Sequence, residues 1–63
     1  MSRYWNNIPL DIPNDNQTVW VRLYNSACPP FQAIYHADTQ TFESVKTHVI
    51  YPIYTIYKWR ETW

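Results

Sequence analysis

The chain contains no glycine, although average usage of about 7% would give roughly four in 63 residues. Gly-rich phosphate loops and dinucleotide-binding turns are therefore excluded, because both need glycine for close backbone approach to phosphate. Turns with positive φ must use Asn or Asp, which tolerate the left-handed region better than most residues. The candidate turns are Asn14–Asn16, Asn25–Ser26 and Ala37–Asp38.

Cysteine is nearly absent as well. Cys28 is the only one, so the chain cannot form an internal disulfide. Together with His36 and His48 it lacks the paired spacing of a structural zinc site. A domain of this size buries only roughly 60% of the surface of its unfolded chain, so it needs dense packing or association with other chains. Four Trp and six Tyr can supply either, since large aromatics are enriched in cores and interfaces.

Net charge is also absent: five Lys and Arg residues balance five Asp and Glu residues. Nucleic-acid-binding proteins usually carry a basic excess, so this balance disfavours nucleic acid as a partner. No apolar run is long enough to span a bilayer, and residues 1–13 lack the apolar segment of a secretory signal. We therefore expect a protein made in the cytoplasm, with no membrane partner.

What the chain does contain is strand-forming sequence. Thr18–Tyr24 alternates, and the alternation predicts one buried and one outward face. The predicted core set is Val19, Val21 and Leu23; the outer set is Trp20, Arg22 and Tyr24. The prolines of Asn25–Pro30 predict a loop. Phe31–His36 and Thr41–Val45 are predicted to be strands of a hairpin, joined by a short turn that contains Asp38.

The last third of the chain, Thr47–Trp63, is almost wholly β-branched and aromatic. Because Pro52 cannot donate to a ladder, we predict two strands, Thr47–Tyr51 and Ile53–Arg60, that meet at a sharp bend. Regular alternation divides the stretch into two faces. One face would hold Val49, Tyr51, Ile53, Tyr57 and Trp59; the other would hold Ile50, Tyr54, Ile56, Lys58 and Arg60.

These segments predict one all-β domain over residues 1–63, with no helix of useful length. Residues 1–17 form an extended, apolar arm that packs across the body and closes one end of it. Residues 18–60 hold the strands, and residues 61–63 form a tail. The fold expected is a small five-stranded SH3-like barrel or a strongly curled antiparallel sheet, since a bend of this kind lets a small sheet turn a corner.

The order of several motifs resembles a family of small phage- and prophage-encoded domains of unknown function. Those motifs are Trp5, Ile12-Pro13 before the Asn14–Asn16 turn, Gln17–Val21, Phe31–Tyr35 and Tyr57–Arg60. The chain departs from the family in its turn, which usually holds a glycine, and in its ending. The resemblance implies a phage context, hence the host cytoplasm or the virion as location, and no known enzymatic activity. It assigns no functional residue.

Candidate chemical groups are few. His36, Asp38 and His48 are the side chains from which a metal site could be built, but single histidines on strands usually serve as hydrogen-bonding groups. Cys28 precedes two prolines in a loop without a local base, which is typical of a packing thiol rather than a nucleophile. We therefore predict no catalytic residue, no metal and no cofactor.

The function expected is that of a non-enzymatic structural or assembly protein of a virion, such as a capsid-decorating, head-fibre or tail accessory subunit. Its partners would be other protein subunits, in a homo-oligomer or a larger assembly, because the chain has more large aromatics than its interior can hold. The predicted interface consists of Trp20, Arg22, Tyr24, Tyr54, Ile56, Lys58, Arg60 and Trp63. The alternative is a binding module for single-stranded nucleic acid or carbohydrate, in which bases or sugars stack on aromatics beside cations.

Overall fold

A computed structural model describes residues 5–8, 10–24 and 27–62. The described residues form one six-stranded antiparallel sheet and a single 3-10 turn. The strands are β1 (Asn6–Asn7), β2 (Thr18–Leu23), β3 (Phe31–His36), β4 (Thr41–Ser44), β5 (Ile50–Pro52) and β6 (Ile56–Glu61), and the 3-10 turn is Ile53–Thr55. The prediction of an all-β fold is confirmed.

The strand order β1-β6-β2-β3-β4-β5 requires the sheet to curl. In a flat sheet, β5 and β6 would lie four strand spacings apart, about 19 Å at 4.8 Å each. The link from Pro52 to Ile56 spans at most about 14 Å when fully extended, and less in a 3-10 turn. The described residues contain no ladder between the edge strands β1 and β5. Of the two expected forms, the structure is the curled antiparallel sheet.

The core lies on the concave face of this sheet. Its buried members are Val19, Val21, Ala33, Tyr35, Phe42, Ile56 and Trp59, and Ile8, Leu23, Phe31, Tyr51 and Ile53 pack around them. The set predicted from the alternation of β2 is confirmed, with the two valines fully buried and Leu23 half-buried at the margin. The tilted ring pair of Tyr35 and Phe42, with centroids 4.9 Å apart, fills the space between β3 and β4.

Pro52 acts as the sequence predicts, although the strands around it are shorter. It ends β5, and the following 3-10 turn makes the bend. The Thr55 hydroxyl donates to the Pro52 carbonyl at 2.7 Å, which satisfies an acceptor at the corner. The turn is also tied to the body, because Ile53 N–H donates to the Gln40 carbonyl and Tyr24 N–H donates to the Thr55 carbonyl.

The described part of the N-terminal arm lies against the sheet and contributes a strand that the sequence does not predict. Asn6 and Asn7 pair with Trp59 and Lys58, so β1 extends the sheet beyond β6. The Trp59 indole N–H donates to the Asp11 carbonyl at 2.9 Å, which fixes the arm over the core. At the other end, Glu61 belongs to β6 rather than to a tail. Trp63 lies outside the described residues.

Among the described residues, positive φ is found at Asn16, Gln40 and His48, so Gln and His adopt it here as well as Asn. Asn16 lies in a turn that the sequence identified, and Asn25–Ser26 lies outside the described residues. The β3–β4 turn places its positive φ at Gln40 rather than at Ala37 or Asp38. No helix in the described part of the chain is long and apolar enough to cross a membrane.

Candidate functional site

The convex face of β2 and β6 brings cations and tryptophan together. Trp20 pairs with Arg60, and Arg22 pairs with Lys58, across the antiparallel ladder. Residues directly opposite each other have Cβ atoms about 5 Å apart, so two basic side chains extend from neighbouring positions at the second pair. Like charges in that position destabilise an isolated sheet. The alternation of both strands therefore builds a local basic surface on a chain whose net charge is zero.

Trp5 covers this surface from the β1 side. Its ring lies 5.9 Å from Lys58 Nζ and 5.6 Å from Arg60 Cζ, both within the range of cation–π attraction. Lys58 Nζ also lies 4.8 Å from the ring of Tyr57, which in turn contacts Tyr24 at a centroid distance of 5.4 Å. Lys58 and Arg60 thus lie among aromatic rings, with Trp5 against both cations and Tyr57 against Lys58.

A β-bulge in β6 decides which side chains reach that surface. Arg22 pairs with Lys58, but Leu23 pairs with Ile56, so Tyr57 is the extra residue. Both Ile56 and Trp59 consequently point inward, although regular alternation places them on opposite faces. Ile56 is only 1% exposed. The prediction that it lies on the outer face with Lys58 and Arg60 is wrong, and it does not belong to the surface.

A second, uncharged part of the surface surrounds the 3-10 turn. Tyr54 is 77% exposed and Tyr24 is 64% exposed, and Tyr57 lies beside Tyr24. We call these three residues the tyrosine patch. Tyr24 and Tyr54 together line two shallow grooves: one of about 400 Å³ with Tyr51 and one of about 280 Å³ with Ile8.

Two further grooves meet at Trp20. The first, of about 340 Å³, is lined by Trp5, Trp20, Pro30 and Arg60. The second, of about 300 Å³, is lined by Trp20, Pro30, Phe31, Gln32, Val45 and Lys46. Because both share Trp20 and Pro30, they form one track across the sheet. We call it the Trp20 track; a cation lies at each end and an indole in the middle.

The two histidines approach the same carboxylate on the convex face. His36 Nε2 lies 3.1 Å from one Glu43 oxygen, and His48 Nδ1 lies 3.0 Å from the other. Hydrogen bonds from His48 and His36 hold the pKa of the Glu43 carboxyl below its ordinary value, because they stabilise the ionised form. Asp38, which the sequence offers together with the two histidines as a candidate metal ligand, is not part of this arrangement, since it accepts from Thr39 N–H.

The described residues contain no group of three or more His, Cys, Asp or Glu side chains placed to hold a metal ion. Cys28 is a half-buried free thiol that lines a groove with Leu23, Pro29 and Lys46 among its neighbours. Among the described residues that line this groove, there is no histidine or carboxylate to serve as a base for the thiol. The described lining of this groove is mainly apolar.

The structure divides the predicted interface in two. Tyr24 and Tyr54 belong to the tyrosine patch. Four others lie on the convex side of β2 and β6, which we call the basic face: Trp20, Arg22, Lys58 and Arg60. Three residues of the tyrosine patch and the Trp20 track are not predicted from the sequence: Trp5, Tyr57 and Lys46. The sequence places Trp5 in the arm, and only the pairing of β1 brings it over Lys58. A two-residue strand leaves no periodic signal by which it could have been found.

Comparison with family models, curated proteins and solved structures finds no match to this chain. The resemblance to phage-encoded domains therefore stays a prediction.

Proposed function

We propose that this protein is a non-enzymatic assembly module that docks onto other protein subunits through the tyrosine patch. The observation that carries the proposal is the exposure of Tyr54 and Tyr24, at 77% and 64%, on a contiguous surface with grooves on two sides. Exposed aromatic clusters of this kind mark partner surfaces, and tyrosine is enriched among the residues that dominate binding energy.

The size of the patch indicates the strength of the contact. Burying the exposed parts of the three tyrosines removes roughly 350 Å² from water, since each ring offers about 150–250 Å². At about 25 cal/mol/Å² the gross gain is roughly 9 kcal/mol, whereas association itself costs an estimated 4–15 kcal/mol. A single contact is therefore weak, and repetition of the same contact in a multivalent assembly would make it effective.

The sheet edges favour docking through side chains rather than strand addition. β1 has two residues and β5 has three, and β5 ends at Pro52. Short edges that carry proline offer few backbone groups to an incoming strand. A partner that adds a strand to this sheet would gain only a few ladder hydrogen bonds, so the aromatic surface is the better docking site.

The resemblance to phage-encoded domains extends the proposal to a virion. There the protein would serve as a capsid-decorating, head-fibre or tail accessory subunit, in which many copies repeat one weak contact. Its partners would be copies of itself or other virion subunits. Neither enzymatic activity nor a cofactor enters this function.

The experiment is size-exclusion chromatography with light scattering over a wide concentration range, alone and with a candidate virion subunit. We expect self-association or co-elution that is lost in Tyr54→Ser. The matched control is Ile50→Ser, which removes an exposed apolar side chain from β5, outside the patch. A chain that remains monomeric at every concentration and binds no subunit would contradict the proposal, and so would equal effects of the two substitutions.

A further inference from the structure

The convex face carries a second surface whose chemistry differs from that of the tyrosine patch. The Trp20 track runs from Trp5 and Arg60 on one side to Lys46 on the other, and Arg22 and Lys58 flank it. We propose that this track binds single-stranded nucleic acid, with phosphates at the cations and an unpaired base stacked on Trp20.

The distribution of charge supports an anionic occupant. The cations Arg22, Lys58 and Arg60 occupy adjacent outward positions of β2 and β6, and Lys46 follows β4 on the far side of the track. Glu43 is held between two histidines on β4. Asp15 accepts from Ala37 N–H near the β3–β4 turn, where Asp38 also lies. A net charge of zero therefore conceals a basic face, which phosphates would complement.

The like-charge pair gives a second reason. Arg22 and Lys58 face each other across β2 and β6, where an opposite-charge pair would stabilise the sheet. An anion between them would relieve this repulsion, so binding and folding would support each other. A neutral carbohydrate would leave the repulsion in place, because it carries no charge.

The aromatic side chains supply the remaining interaction. Trp20 is half-buried on the convex face, where its neighbours Arg60 and Gln32 lie directly across on the adjacent strands. Base–aromatic stacking tolerates any sequence because every base has a π-face. Trp5 packs over Lys58 and Arg60, which restricts both side chains before a ligand arrives. That restriction reduces the entropy that the two cations lose on binding.

The test is a titration of tryptophan fluorescence of the full chain with an oligothymidylate of about 12 nucleotides, at about 50 and 200 mM salt. We expect quenching whose binding constant falls with salt. Four phosphate contacts, one at each cation, give a log–log slope of about −3. Arg22→Gln should reduce the slope by about 0.7 while preserving the fold, because it also removes the like-charge pair. Trp20→Leu should weaken binding roughly tenfold to a hundredfold.

Matched controls separate this proposal from its alternatives. Gln40→Glu changes the net charge by the same amount as Arg22→Gln. Gln40 lies in the β3–β4 turn, whereas the track crosses β3 at its other end, at Gln32. Gln40→Glu should therefore leave the salt slope unchanged. Tyr54→Ser should retain oligonucleotide binding while it abolishes assembly, so the two surfaces can fail separately. Circular dichroism will show whether Trp20→Leu remains folded. If this variant unfolds, the change in salt dependence of Arg22→Gln is the test of the proposal.

Three results would overturn the proposal. One is absence of salt-dependent quenching at the lower salt concentration. Another is an equal effect of Gln40→Glu and Arg22→Gln, which would indicate net charge rather than a site. The third is quenching by a soluble neutral glucan but not by the oligonucleotide, which would assign the track to carbohydrate.

Discussion

Truncation of Ile56 tests the β-bulge that organises the candidate surface. The bulge at Tyr57 turns Ile56 into the core, where it is 1% exposed, and leaves Tyr57 outward at 44% exposure. Ile→Ala at a buried site usually costs 2–5 kcal/mol, so we expect about 3 kcal/mol for Ile56→Ala. Tyr57→Ala should cost about 1 kcal/mol, through its contacts with Tyr24 and Lys58.

The size of the domain sets how this difference is measured. A chain of 63 residues has a free energy of unfolding of roughly 3–9 kcal/mol, so Ile56→Ala can approach the whole of it. Ile56→Val should cost about 1 kcal/mol and lower the melting temperature by about 4–8 °C, which remains measurable. The assay is denaturant unfolding followed by far-ultraviolet circular dichroism. If Ile56→Ala costs less than Tyr57→Ala, the regular alternation is correct and the bulge is refuted.

Two further substitutions test local features of the sheet. The lowered pKa of Glu43 means that its ionised form contributes stability that is present above pH 4.5 and is lost as the pH falls through the lowered pKa. Glu43→Gln should therefore flatten the acid side of a plot of melting temperature against pH; an unchanged acid side would refute the role of the two histidines. Gln40 has a φ of 54°, so Gln40→Gly should add about 0.5–1 kcal/mol of stability, because the left-handed region disfavours residues that carry a Cβ. Gln40→Ala should add none, and equal melting temperatures for the two variants would contradict this reasoning.

The two proposed surfaces share a boundary at Tyr57. This residue contacts Tyr24 of the tyrosine patch and Lys58 of the basic face. Variants at Tyr57 would therefore affect both surfaces at once. The substitutions Tyr54→Ser and Trp20→Leu lie on either side of this boundary, which is why they are the better pair of probes.

The outer residues of β2 could be predicted from the sequence, whereas their partners could not. Strict alternation in Thr18–Leu23 identifies Trp20 and Arg22 as outward, because a strand has a side-chain period of two. The neighbours Arg60 and Lys58 depend on which strand pairs with β2 and in which register. The paired residues are 36 and 40 positions apart in the sequence, so no local pattern encodes the pairing.

The same distinction explains the role of Trp5. The sequence predicts an apolar arm that contains Trp5. The position of its ring over Lys58 and Arg60, however, follows from the two ladder pairs at Asn6 and Asn7. Likewise, nothing in the sequence indicated that Glu43 would lie between His36 and His48. His36 and Glu43 are near each other because β3 and β4 pair, while His48 reaches Glu43 from the following loop, with φ at 62°.

The sequence by itself determined the class of this protein: strand-forming composition, alternation in β2 and β3, and a break at Pro52 dictate a small bent sheet. Each of these is a property of neighbouring residues, so it can be recognised locally. Only the tertiary structure decided where the charges and rings meet. The bulge at Tyr57 moved Ile56 into the core, and the pairing of β6 with β2 concentrated cations on one face of a neutral chain. Both follow from register between distant strands, which packing of the whole core selects.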